Sequence, residues 1–149
     1  MRLLTLVLAA FGLAAVPAQA QPRRNASPQH TLAIAADAVS ASVQAGGADR
    51  NAVAGSGCSG FIANDSPSAA ITVEGDGPLS IYAVSGTDTT MLVSDPAGRW
   101  HCSDDANGSN PAVTFAQAAA GTYMVWVGTF SPDARAAATL SAVRGQPAW

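Results

Sequence analysis

With 149 residues, a net charge of −3 and no lysine, the chain lacks the basic patch that usually marks nucleic-acid binding, its only adjacent basic pair being Arg23-Arg24. The length suits one hydrophobic core. Only two cysteines and two histidines are present, too few and too poorly spaced for a recognisable zinc site.

Arg2 is followed by an apolar run over residues 3–16, then Pro17 and the small-residue sequence Ala18-Gln19-Ala20. That order predicts a secretory signal peptide over residues 1–20, cut after Ala20, with an uncleaved anchor as the alternative. The run is shorter than the about 20 apolar residues that span a bilayer, and no later run is longer, so no membrane span is expected in the mature chain. Removing residues 1–20 leaves six arginines against nine aspartates and Glu74, a net charge of −4. Cys58 and Cys102 are most simply a disulfide, which places the protein in the periplasm or outside the cell.

Residues 21–36 carry Pro22, Pro28 and small side chains, with Leu32 and Ile34 the only large apolar ones, and are expected to be a flexible leader. A β-sandwich domain is expected over 37–145 and a tail over 146–149, with Trp149 at a frayed end. Val39, Ala41 and Val43 alternate and predict a strand, although the alanines over 33–45 also allow a helix. Further strands are expected over 58–63, 69–74 and 79–85. Residues 88–110 read as strand, Pro-Ala-Gly turn, short strand and polar loop, and three more strands follow over 112–117, 121–127 and 136–143. Eight or nine short strands with no amphipathic helix predict an all-β chain, an antiparallel β-sandwich of jelly-roll-like form with one disulfide. An immunoglobulin-type sandwich is the alternative, and the tryptophan between the cysteines does not decide between them, because Trp100 lies only two residues before Cys102.

Several pieces recur in one order: Gly57-Cys58-Ser59-Gly60-Phe61-Ile62, Leu79-Ser80-Ile81, Asp88-Thr89-Thr90-Met91-Leu92-Val93, Asp95-Pro96-Ala97-Gly98-Arg99-Trp100-His101-Cys102, Asp104-Asp105, Gly108, Asn110-Pro111 and Gly121-Thr122-Tyr123-Met124-Val125-Trp126-Val127-Gly128. In this the chain resembles the bacterial pre-peptidase C-terminal domain family. The resemblance implies a compact, non-catalytic sandwich of the kind that accompanies secreted enzymes, and no protease domain is expected within these 149 residues. Some relatives bind calcium through acidic loop residues; where family members often carry two aspartates in the first motif, this sequence has Asp88 and Thr90.

Calcium takes six to eight oxygen ligands from flexible loops, and Asp88, Asp104, Asp105, Asn107 and Asn110 are the candidates. An EF-hand is rejected, because no late glutamate and no flanking helices accompany Asp105-Ala106-Asn107-Gly108. The other reading of these side chains is a set of Asx-turns in a solvated loop. Tyr82, Tyr123, Trp100 and Trp126 are candidates for an aromatic platform against core packing. If Tyr123, Val125 and Val127 face inward, Met124 and Trp126 face outward, so Trp100 and Trp126 become the expected ligand surface for a protein or carbohydrate partner. Taken together, the residues predict an exported, non-catalytic binding or accessory module, steadied by calcium. The alternatives are a small secreted hydrolase using His101 and a nearby aspartate, and a structural assembly subunit.

Overall fold

The computed structural model describes residues 21–51, 53 and 57–149. The expected signal peptide lies outside the described residues. Among these residues there are eleven strands and no helix: β1 His30–Ile34, β2 Val39–Ala45, β3 Asp49–Arg50, β4 Phe61–Ile62, β5 Ala69–Val73, β6 Gly77–Ser85, β7 Thr89–Ser94, β8 Trp100–Ser103, β9 Ala112–Ala118, β10 Gly121–Thr129 and β11 Ala136–Val143. No helix among them is long and apolar enough to cross a membrane. The all-β sandwich is as expected; the two strands beyond the expected nine are β1 and the two-residue β3.

The strands form a seven-stranded and a four-stranded sheet. In the larger sheet β10 is the shared strand. Residues Met124 and Val125 pair with β5 on one edge and β7 on the other, and Thr129 pairs with Phe61 of β4 and with Thr89 of β7. β8 lies outside β7, and β1 lies outside β5. The smaller sheet runs β2-β11-β6-β9 and is antiparallel throughout.

Period-two alternation determines what lies between the sheets. Tyr123, Val125 and Val127 of β10 pack with Ile71 and Val73 of β5, Leu79 and Ile81 of β6, Met91 and Val93 of β7, and Leu140 of β11 in one buried core. β2 is a strand and not a helix: Val43 and Ala45 turn into that core while Ser40, Ser42 and Gln44 point outward, and every residue of it is in register with β11.

Both ends of the described residues depart from expectation. The leader over 21–36 is not a flexible segment in this structure. Residues 30–34 pair with β5, in the sheet's parallel step, and Ile34 is buried in the core. Before it, Pro22 is buried, and the N–H groups of Arg23 and Gln29 donate to the carbonyls of Asn64 and Pro67. These bonds satisfy backbone groups that a free leader would leave to water. Trp149 is likewise not frayed. The Tyr82 hydroxyl donates to the Ala148 carbonyl at 3.1 Å, and the Trp149 ring meets Tyr82 edge-on at 5.2 Å.

Candidate cation site and the covered face of the large sheet

The outward face of the seven-stranded sheet carries a second, smaller core. Trp126, Leu92 and Cys102 are cross-strand neighbours in one row over β10, β7 and β8. Cys102 is bonded to Cys58, 44 positions earlier, and the bridge draws the segment before β4 over this row. Val53 and Ile62 pack with Leu92 and Trp126, and Trp100 lies against Trp126 with ring centroids 5.6 Å apart. The covering segment lies so close that a Cβ at either Gly60 or Gly128 would stand 2.5 Å from the Thr90 hydroxyl, an approach only glycine permits.

This arrangement corrects the expected aromatic ligand surface. Trp126 does leave the main core, as alternation requires, but it is only 1% exposed because a second layer covers it. Met124 is partly buried against the same cluster. Trp100 is half-buried, and the Arg24 guanidinium lies 4.3 Å over its ring, a cation–π contact that ties the leader to β8. A groove of about 400 Å³ between residues 21–25 and Trp100 is lined mostly by the leader itself.

At one end of the sandwich, three of the expected metal ligands converge. Asp88 lies in the loop between β6 and β7, while Asp104 and Asp105 follow β8. One carboxylate oxygen of each lies within 4.8 Å of the others. The Ser59 hydroxyl, next to Cys58, donates to one oxygen of Asp104 at 2.6 Å, whereas the other oxygen is buried and has no hydrogen-bond partner among the described residues. Among the described residues no arginine or histidine forms an ion pair with these three. The Asp88 carboxyl is accordingly held above the ordinary aspartate range, by partial desolvation first and then by the charges of Asp104 and Asp105.

The two asparagines behave differently. Asn110 Oδ1 accepts the Ser85 N–H at 2.9 Å, and its backbone closes a tight turn with Asn107, so Asn110 fastens the loop to the end of β6. Asn107 is exposed in that turn. Phe130, which the sequence reading passed over, is 52% exposed, and its N–H donates to the Asp88 carbonyl at 3.2 Å. An aromatic residue just past the end of the strand-like run over 121–127 was the available signal.

A set of three carboxylates offers only hard oxygen donors, with no sulfur or imidazole. An orphaned buried carboxylate oxygen and an unrelieved like-charge cluster both favour a divalent cation such as calcium. Asp88, Asp104 and Asp105 would hold it, and water and loop carbonyls supply the remaining oxygens such an ion takes.

A second polar cluster lies at the turn between β7 and β8. The buried Asp95 carboxylate accepts from the Arg99 backbone N–H at 2.9 Å, from Arg99 Nε at 2.7 Å and from His101 Nε2 at 3.0 Å. Burial alone pushes the Asp95 carboxyl up, but the bonds from His101 and Arg99 outweigh it, so its pKa lies below the ordinary value. With the folded pKa depressed, the stabilisation is complete above the ordinary aspartate pKa and is lost as pH falls through the lowered one. Urea unfolding across an acid series is expected to show wild type losing its advantage over Asp95→Asn in that range. A constant difference down to the lowest pH would contradict this.

The pairing that a hydrolase using His101 needs with a nearby aspartate is thus present, and the partner is Asp95. The His101 ring rests edge-on against Phe115 at 4.8 Å and faces the sandwich edge between β8 and β9. Cys102 is in the disulfide, and among the described residues no serine or threonine hydroxyl bonds to the imidazole.

Fold and site together define a disulfide-tied β-sandwich with a carboxylate cluster at one end. No family model and no curated protein matches the chain. Among solved structures it is similar to the pre-peptidase C-terminal domain of collagenase from Bacillus anthracis, at 15% identity and a TM-score of 0.49, over 79% of this chain and 99% of that one. It is also similar to Aeromonas hydrophila PliG, a periplasmic lysozyme inhibitor of g-type lysozyme, at 10% identity and a TM-score of 0.47, over 78% and 98%. The first is a domain of the family that the sequence resembles.

Proposed function

We propose that the chain is an exported, non-catalytic binding or accessory module that holds one calcium ion between Asp88, Asp104 and Asp105. The observation that carries this reading is the convergence of three carboxylates from two loops, with no arginine or histidine ion-paired to them among the described residues. The paired cysteines fit an oxidising compartment, periplasmic or extracellular. Phe130, exposed and bonded through its backbone N–H to the Asp88 carbonyl, is the apolar side chain we assign to contact with a protein or carbohydrate surface.

Calorimetric titration of the oxidised protein with calcium tests the reading. One site is expected, weaker for magnesium, which demands near-ideal octahedral geometry and dehydrates reluctantly. Asp104→Ala and Asp88→Ala should each abolish the heat. Affinity should also fall as pH is lowered toward the raised pKa of Asp88, because proton and cation compete for one carboxylate. Equal heats in wild type and both variants would overturn the proposal.

The hydrolase reading has the Asp95–His101 pair in its favour. It requires that His101→Ala abolish a hydrolytic activity while leaving the fold intact.

A further inference from the structure

We infer that Asn107 is a self-modifying residue: it deamidates through a succinimide and thereby adds a carboxylate beside Asp104 and Asp105. The chain has five asparagines, and their surroundings separate one from the other four. Asn107 is followed by Gly108, is exposed, and has no hydrogen bond to its carboxamide among the described residues. Gly108 has open space where a Cβ would stand, and its N–H donates to no group among the described residues. The nucleophile and the electrophile are therefore both free.

Each of the others is held. Asn51 and Asn64 are buried. Asn110 precedes Pro111, which has no N–H, and its carboxamide accepts from Ser85. Asn25 precedes Ala26, whose N–H donates to the Arg23 carbonyl. The comparable Asp76-Gly77 step is restrained as well, since Asp76 Oδ1 accepts the Ala120 N–H at 2.8 Å.

The step balances without any oxidant or enzyme. The Gly108 backbone nitrogen, as it gives up its proton, forms a bond to Cγ of Asn107. The bond from Cγ to the side-chain nitrogen breaks and ammonia leaves. Water then opens the five-membered imide at either carbonyl, giving aspartate or isoaspartate, each one negative charge richer than the parent. Asparagine is a thermolabile residue in this sense. The added charge enters the loop that carries Asp104 and Asp105, so its effect on cation affinity rests on the reading proposed above, whereas the covalent change does not.

The test is to incubate the oxidised protein in mildly alkaline buffer and follow all the asparagine-containing peptides by mass spectrometry, Asn107 being read from the peptide spanning residues 100–135. The expected result is an amide-to-acid mass change at Asn107 before any other asparagine, with isoaspartate among the products. It should be slowed in Gly108→Ala and absent at that position in Asn107→Gln. Change at Asn25 first, or at all five alike, or without isoaspartate, overturns the inference. Charge separation of the modified fraction followed by calcium titration tests the consequence. Tighter calcium binding supports it, and unchanged binding removes the link to the cation site while leaving the modification standing.

Discussion

Replacing Cys58 and Cys102 together by alanine is expected to lower stability by about 4 kcal/mol, from the chain-entropy cost of opening a loop with a sequence separation of 44. The bridge has a second role that adds to this. It fastens the segment before β4 over the row of Trp126, Leu92 and Cys102, and in a small domain that is a large share of the total stability. Urea unfolding of the oxidised wild type and the double variant measures it, with the slope reporting whether the surface exposed on unfolding changes as well. A loss below about 1 kcal/mol would show that the covering segment stays in place without the bridge, contrary to the entropic account.

Trp126→Ala is expected to cost about 3–5 kcal/mol, as for other large aromatic side chains truncated in a core. Trp126 is 1% exposed, and its contacts belong to the outer cluster and not to the main core. Its indole N–H has no acceptor among the described residues, so Trp126→Phe is expected to lose packing but no hydrogen bond and to cost much less than the alanine change. Because Trp126 and the disulfide stabilise one layer, their losses should not add. The combined variant should fall short of the sum by about 0.5–3 kcal/mol. Strict additivity would mean that bridge and indole act on separate parts of the fold.

The sandwich was legible because its inner faces follow simple alternation: Tyr123, Val125 and Val127, or Leu79 and Ile81, point one way wherever the strand is paired. The same alternation placed Trp126 on the opposite face correctly. What it does not carry is whether a face is covered. That depends on a loop 44 positions away in sequence being drawn across it, and the cysteines gave the link without its geometry. β1 escaped the sequence reading because His30–Ile34 offers only Leu32 and Ile34 as apolar signal, and its pairing with β5 is parallel and long-range.

At the site, Asp88, Asp104 and Asp105 were singled out by residue type and do converge. Asn110 was singled out for the same reason, yet its carboxamide caps the end of β6, a choice between partners that composition does not encode. The Asp95 cluster was passed over as a turn, although an aspartate before Pro-Ala-Gly-Arg can receive donors from its own turn.

The proposed function depends on the carboxylate cluster binding a cation. The most direct measurement is a thermal melt of the oxidised protein in EDTA and again in millimolar calcium, with Asp88→Ala and Asp105→Ala alongside. Calcium at ten times its Kd should stabilise the native state by about 1.4 kcal/mol, seen as a rise in Tm that either variant loses. In EDTA, removing one of three crowded carboxylates should leave Tm unchanged or slightly higher. The same Tm with and without calcium in the wild type would contradict the account and leave the three aspartates as solvated loop residues.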